Sequence, residues 1–239
     1  MKKERLAVFD VDGTLFNGNL GIDFVKSLVG GGIFSREIGE GIFTWYGKYK
    51  KGEVEKAVAV DEIYKLYAAG LKGKQKEQIE GVALETWQSL TDRLYGFASE
   101  LVNLLKENGF LILLISGSPT EMVSKLGEKL GIDKGNIIAG ELEIRDSVYT
   151  GEIISYPGSS EQKVVALDDL LRIRGIDPEW QESLGMGDNE RDTGILGRVG
   201  IPIAFEPNDI LRQNAIENGW LLADRDTVMS IVREKIKRN

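Results

Sequence analysis

A chain of 239 residues with 42% hydrophobic content is long enough for one large domain, or for a core with an insert, around an ample apolar interior. Its formal net charge of −8 argues against nucleic acid or an anionic membrane as the main partner. The chain has no Cys and no His, which excludes disulfides, thiolate nucleophiles, Cys- or His-ligated metals, phosphohistidine and a Ser-His-Asp triad. Acid–base chemistry near neutral pH then falls to Asp, Glu, Lys or Tyr, and any metal should be a hard, oxygen-seeking ion such as Mg2+. The opening Met-Lys-Lys-Glu-Arg is followed by a short apolar stretch, too brief for the apolar region of a signal peptide. The longest apolar run, Phe110–Ile115, falls far short of a membrane span, so no membrane association and a cytoplasmic location are expected.

In chain order, Leu6-Ala-Val-Phe9 predicts a short buried strand that ends in Asp10-Val-Asp12. Side chains alternate along extended backbone, so Asp10 and Asp12 should point to the same side. Gly13 lets the chain turn away and Thr14 offers a hydroxyl at the turn. Two carboxylates so close need a bound cation or a raised pKa on one of them. From 17 to 92 the periodicity is helical, punctuated at Gly30-Gly31-Gly32, Gly52, Gly70 and Gly73, which predicts an insert of about four helices.

From Leu94 helices and strands alternate. A helix at Phe97–Glu107 precedes Leu111–Ile115, an unbroken apolar run as expected of a parallel strand buried on both faces. A second helix follows, running to about Leu130. Ser118 and Glu121 have capping-box spacing and Pro119 falls at the first helical position, so these three read as a helix start alone. Next come a short strand at Asn136–Ala139, a hairpin at Glu141–Ser155 around Asp146-Ser147, and a helix at Gln162–Arg174. A strand at Ser183–Met186, a short helix, a strand at Ile201–Phe205 and a last helix at Asp226–Lys237 complete the chain. Basic residues in the terminal Val232–Asn239 suit the negative end of that helix.

This alternation predicts an α/β fold, an open parallel sheet with helices on both faces, on which ligands bind beyond the carboxyl ends of the strands. Asp10, Ser116 and Asp188 each follow such an end. Ser116 and Gly117 offer a hydroxyl and backbone N–H groups suited to phosphate beside a helix N-terminus. Lys163 lies in the first turn of a helix, where a cation opposes the dipole and has no evident structural purpose. Gly185-Met-Gly-Asp188-Asn-Glu-Arg-Asp192 places Asp188 where it could ligate a metal, with Asp192 behind it to orient Lys163 or a water on the metal.

The order Asp-x-Asp-Gly-Thr, strand-Ser, Lys, strand-Gly-Asp-x3-Asp resembles the haloacid dehalogenase-like (HAD) superfamily, with all four of its motifs represented. The segment Ile201-Pro-Ile-Ala-Phe-Glu-Pro-Asn-Asp through Trp220 is similar to the closing segment of subfamily IB hydrolases, and the helical insert resembles the cap of the group containing phosphoserine phosphatase. The resemblance implies a Rossmann-like core at 1–16 and 93–239 with an inserted helical cap domain at 17–92. It also implies a Mg2+-dependent phosphatase acting on a small phosphorylated metabolite through an aspartyl-phosphate. Asp10 would be the nucleophile and Asp12 the general acid and base. Mg2+ would be held by Asp10, the backbone carbonyl of Asp12 and Asp188, with Asp192 behind them, while Ser116, Gly117 and Lys163 would grip the phosphoryl oxygens.

Asp12 favours phosphoryl transfer over carbon–halogen cleavage, because relatives that cleave halides usually lack this second Asp. Alternatives are a phosphotransferase, phosphoserine phosphatase proper, or a non-catalytic phosphate-binding regulatory module. The chain departs from the phosphoserine phosphatase pattern in three places. Arg191 stands where such enzymes typically carry Asn; Asn19 occupies the position of a cap Glu; and Arg36 is the only Arg between Phe16 and Asp92. A substrate carboxylate left without its bidentate partner disfavours phosphoserine. Of Phe34, Phe43, Trp45, Tyr46 and Tyr49 most should be core, and one or two lining the pocket would stack on a ring or hold an ammonium group.

Overall fold

The structure, a computed structural model, describes residues 3–237, so Arg238 and Asn239 of the basic C-terminal segment lie outside the described residues. A first strand, β1 (Arg5–Phe9), is followed by four helices: α1 (Leu20–Gly30), α2 (Arg36–Lys50), α3 (Lys56–Leu71) and α4 (Lys76–Gln88). The chain continues through α5 (Ala98–Glu107), β2 (Phe110–Pro119), α6 (Thr120–Lys129), β3 (Ile137–Arg145), β4 (Val148–Ser155) and α7 (Ser160–Arg174). It closes with β5 (Leu184–Gly187), α8 (Thr193–Leu196), β6 (Ile201–Phe205), α9 (Asp209–Asn218), β7 (Leu221–Ala223) and α10 (Val228–Ile236).

The strands form one seven-stranded sheet in the order β4-β3-β2-β1-β5-β6-β7. All neighbours are parallel except the β3–β4 hairpin, whose turn places Asp146 and Ser147 at positive φ. β1 is therefore central, which explains its apolar run. Ala7 and Phe9 pack on one face with Leu114, Met186 and Phe205, and Leu6 and Val8 pack on the other with Leu113, Leu167 and Leu171. The helices between β1 and β2 join the first of these clusters through Leu20, Phe24, Tyr67 and Trp87. Among the described residues, no helix is long and apolar enough to cross a membrane.

Four elements differ from expectation. β2 runs on past Ile115 to Pro119, because Pro119 still pairs with Gly140 of β3 across an irregularity. α9 and β7 were not foreseen as elements; α9 starts at Asn208, whose side chain accepts from the Leu211 N–H, and β7 is only three residues long. The last helix begins at Val228 rather than Asp226, since the Asp224 carboxylate accepts from both the N–H and the hydroxyl of Thr227 and holds a turn there.

Candidate active site

Strand register brings three parts of the chain to one edge. Phe9 lies opposite Leu114 of β2 and Met186 of β5, so Asp10 emerges between the ends of those two strands, its N–H donating to the Met186 carbonyl at 3.0 Å. Asp188 follows β5 by a single residue. Gly13 sits at φ +89°, and a Cβ there would lie 2.3 Å from Asp188 Oδ2. Glycine is required at that position for both its backbone conformation and the close approach.

Lys163 joins this edge from α7. The helix is started by a reciprocal cap between Ser159 and Gln162, which fixes its first turn, and the Lys163 side chain is wholly buried. Its ammonium donates to Asp10 Oδ1 and to Asp192 Oδ1, both at 2.6 Å. Burial pulls the ammonium pKa down, but the carboxylates of Asp10 and Asp192 outweigh that and leave it above its ordinary value. The other oxygen of Asp192 accepts from the N–H groups of Asp188 and Asn189 at 3.1 Å each. Asp192 thus ties Lys163 to the loop that carries Asp188.

Asp12 is held apart from this group. Its Oδ2 accepts from Ser118 Oγ at 2.5 Å and from Ser116 Oγ at 3.2 Å, and its Oδ1 accepts from the Leu20 N–H at 2.7 Å. Burial raises its pKa against the opposing pull of Ser118, Leu20 and the Arg191 charge. Burial also raises Asp10, to about 6 despite Lys163, and raises Asp188, to about 8, with help from Asp10 and Asp192. Two carboxyls pushed up in this way mark a place where positive charge is wanted.

The expectation that Ser118, Pro119 and Glu121 form only a helix start is overturned. α6 has no side-chain cap bond at its N-terminus. Ser118 Oγ donates to Asp12 and accepts from the Gly21 N–H at 3.0 Å, joining β2, α1 and the first motif. Glu121 is buried and accepts from the hydroxyls of Tyr149 at 2.6 Å and Tyr67 at 3.3 Å. A bond to a buried carboxylate outcompetes a cap, whose N–H groups water can serve. Ser116 and Gly117 lie inside extended β2, with the Ser116 hydroxyl turned to Asp12 and its oxygen accepting from the Ser118 N–H.

Above this edge is a cavity of about 530 Å³ between the core loops and α1–α3. Tyr46 and Tyr49 line it, as do Tyr64 and Tyr67 on α3, whereas Phe34 is core and Trp45 is covered by Lys48. Tyr64 and Tyr67 were missed in the sequence. Their three-residue spacing on a helix looks like ordinary core, yet the Tyr64 hydroxyl donates to the Gly117 carbonyl at 2.7 Å. Gly140 makes room for that hydroxyl, since a Cβ there would lie 1.6 Å from it. Asn19 also lines the cavity while accepting from the Ile22 N–H as the cap of α1. Arg36 is exposed and pairs with Glu40, away from the cavity. Arg93 does line it, bound to Asp23 at 2.7 Å.

The donor set suits a hard divalent cation. Asp10, Asp188 and Asp192 each bring a carboxylate oxygen to within 4.8 Å of the others. Asp192 already serves Lys163 and two N–H groups, so Asp10 and Asp188 are the carboxylates with capacity to spare. The carboxylate of Asp12 is engaged by Ser116, Ser118 and the Leu20 N–H.

The family model described as haloacid dehalogenase-like hydrolase matches residues 7–196. The chain is 30% identical over 210 residues to a phosphoserine phosphatase of Streptococcus thermophilus, covering 88% of this chain and 87% of that one. It is 28% identical over 214 residues to a phosphoserine phosphatase of Archaeoglobus fulgidus, covering 90% of this chain but only 56% of the longer relative. A solved structure described as a phospho-aspartyl intermediate analogue of phosphoserine phosphatase shares the fold, with a TM-score of 0.64 at 21% identity over 94% of each chain. The match spans all the residues gathered at the strand edge, from Asp10 to Asp192, and by it the chain belongs to the haloacid dehalogenase-like hydrolase family, on its phosphoserine phosphatase-like side.

Proposed function

We propose that this protein is a Mg2+-dependent phosphomonoesterase that hydrolyses a small-molecule phosphate through an aspartyl-phosphate on Asp10. The observation that carries this reading is the division of labour between two carboxyls two residues apart. Asp10 is salt-bridged to a buried lysine, whereas Asp12 is buried among hydroxyls with its pKa raised. Lys163 opposes the rise that burial gives Asp10, whereas at Asp12 burial outweighs the bonds from Ser118, Leu20 and Ser116, which suits a group that gives and takes a proton. The similarity to relatives described as phosphoserine phosphatases also supports the reading.

In this mechanism an oxygen of Asp10 attacks phosphorus, and the ester P–O bond breaks on the opposite side. Asp12 gives its proton to the departing oxygen. It then takes a proton from the water that attacks the aspartyl-phosphate, which releases phosphate and restores Asp10. Lys163, the Gly117 N–H and Ser116 steady the phosphoryl oxygens, and Asp192 keeps Lys163 in place. Asp10, Asp188 and the Asp12 carbonyl would hold Mg2+, which when bound supplies Lewis-acid neutralisation of the phosphoryl charge.

Residues 17–92 act in this reading as a cap over a core at 1–16 and 93–239; that Tyr46, Tyr49 and Tyr64 share the cavity with core loops supports it. The cavity wall offers no cap arginine for a substrate carboxylate, since Arg36 is outside and Arg93 is bound to Asp23. A leaving group other than an α-amino acid fits better. The acidic chain and its lack of Cys fit a cytoplasmic enzyme that does not bind nucleic acid.

The test is phosphate release from a panel of phosphorylated sugars, amino acids, nucleotides and head groups, with Mg2+ and no added acceptor. Asp10→Asn should abolish turnover and Asp12→Asn should lower kcat by roughly 10²–10⁴-fold. Full activity in Asp10→Asn would sink the assignment, and release only when an acceptor alcohol is added would make the protein a phosphotransferase.

A further inference from the structure

Arg191 is the charged residue at this edge that the mechanism leaves unused. Four carboxylates, those of Asp10, Asp12, Asp188 and Asp192, gather here with two cations, Lys163 and Arg191. Arg191 is half-buried, and it lines the cavity together with Asp12, Gly117 and Asp188. Its aim is fixed by Asn189, whose Oδ1 accepts from the Arg191 N–H at 3.1 Å and from its Nε at 3.0 Å. The terminal nitrogens therefore reach onward from Asn189, and Nη1 comes to lie against Gly117, 3.4 Å from where a Cβ would stand. The guanidinium thus stands in contact range of the strand at Gly117.

The donor supply at the phosphoryl position is otherwise thin. Lys163 spends two of its three protons on Asp10 and Asp192. The hydroxyls of Ser116 and Ser118 both donate to Asp12, so Ser116 would have to turn from that carboxylate to serve a phosphoryl oxygen. A phosphoryl dianion has three non-bridging oxygens, and an arginine fork is matched to two of them.

We propose that Arg191 is a phosphoryl-contact residue, its guanidinium gripping the non-bridging oxygens of the substrate's phosphate from the Gly117 side. This deepens the phosphatase reading and rests on it. The guanidinium thus stands beside Gly117, with Tyr46, Tyr49 and Tyr64 lining the same cavity, and in this proposal it recognises the reacting phosphate and not a second anionic group elsewhere on the substrate.

Inorganic phosphate, which carries no leaving group, is the probe that separates these possibilities. Binding of phosphate to the full-length Mg2+-loaded protein is measured by calorimetry, and its inhibition of aryl phosphate hydrolysis by kinetics, for the natural protein, Arg191→Ala and Arg191→Lys. Loss of a charge-assisted, bidentate contact should weaken phosphate binding about 10- to 100-fold in Arg191→Ala, and raise KM for the aryl ester in parallel. Arg191→Lys should recover only part of this, and added guanidinium ion should restore activity to Arg191→Ala. Unchanged phosphate affinity in a folded Arg191→Ala protein would overturn the proposal, even if KM rose for esters bearing a second anionic group. If Arg191→Ala does not fold, the Arg191→Lys protein decides, because unaltered phosphate affinity in it would remove any need for the fork. Arg191-dependent phosphate binding in a protein that hydrolyses no ester would instead refute the phosphatase reading and leave this contact standing.

Discussion

Replacing Lys163 by Met removes the charge and keeps most of the apolar stem. In the natural protein the ammonium is wholly buried and lies 2.6 Å from Asp10 and from Asp192, which are themselves 3% and 2% exposed. The substitution leaves both carboxylates buried without their cation. Breaking a buried ion pair from one side costs about 3–5 kcal/mol, because the orphaned charge stays out of water. A chain of this size loses about 2–4 °C of Tm per kcal/mol, so Tm should fall by roughly 6–20 °C at pH 8. The loss should shrink at pH 5, where Asp10, already pushed up to about 6 by burial, can take up a proton and become neutral. Mg2+ should recover part of it, since a cation beside Asp10 replaces some of the missing charge. The assay is thermal melting of both proteins at pH 5 and pH 8, with Mg2+ and with chelator. Equal Tm values at pH 8, or a loss independent of pH, would refute the view that Lys163 offsets two buried charges.

Two further outcomes follow from the same electrostatics and from the contact across the cavity. Asp10 and Asp188 have folded pKa values of about 6 and about 8, raised by burial from 3.8. Between 3.8 and those values the folded, metal-free chain binds more protons than the unfolded chain, so its stability should fall as pH rises through that window and level off above about pH 8. Mg2+ binds the ionised carboxylates and should therefore raise Tm more at pH 8 than at pH 5, by about 5–10 °C at saturating concentrations; an equal shift at both pH values would contradict this. Tyr64→Phe keeps the ring stacked on Tyr156 at 4.5 Å but removes the bond to the Gly117 carbonyl. It should cost about 0.5–1.5 kcal/mol in a melting experiment and raise KM, and an unaltered KM would show that Tyr64 does not hold the phosphate loop.

The expectations that held rest on near neighbours. An apolar run with two carboxylates at its end makes a strand and a candidate site whatever surrounds it, since strand alternation and turn chemistry act over a few residues. Helical periodicity likewise exposed the insert between β1 and β2. A helix was also legible around Lys163, because its cap and its dipole are local. The short β7 and the weakly patterned α9 left no such signal, being specified by their places at the end of a sheet already formed.

By itself, then, the sequence determined the class of fold, the order of its elements apart from α9 and β7, and the residues offered for chemistry: Asp10, Asp12, Ser116, Gly117, Lys163, Asp188 and Asp192, with no His or Cys to compete. Which of these touch which was decided only by tertiary structure. Lys163 reaches Asp10 across 153 residues of chain, and Ser118 reaches Asp12 across 106. Local spacing read Ser118 and Glu121 as a cap, passed over Tyr64, and left Arg191 as no more than a departure from a family pattern. Packing turned the first toward a buried carboxylate, the second toward two tyrosines, the third toward Gly117, and the last into the cavity. The reason is energetic: a polar group removed from water must find its partner in whatever element packs against it, and no window of sequence contains that element.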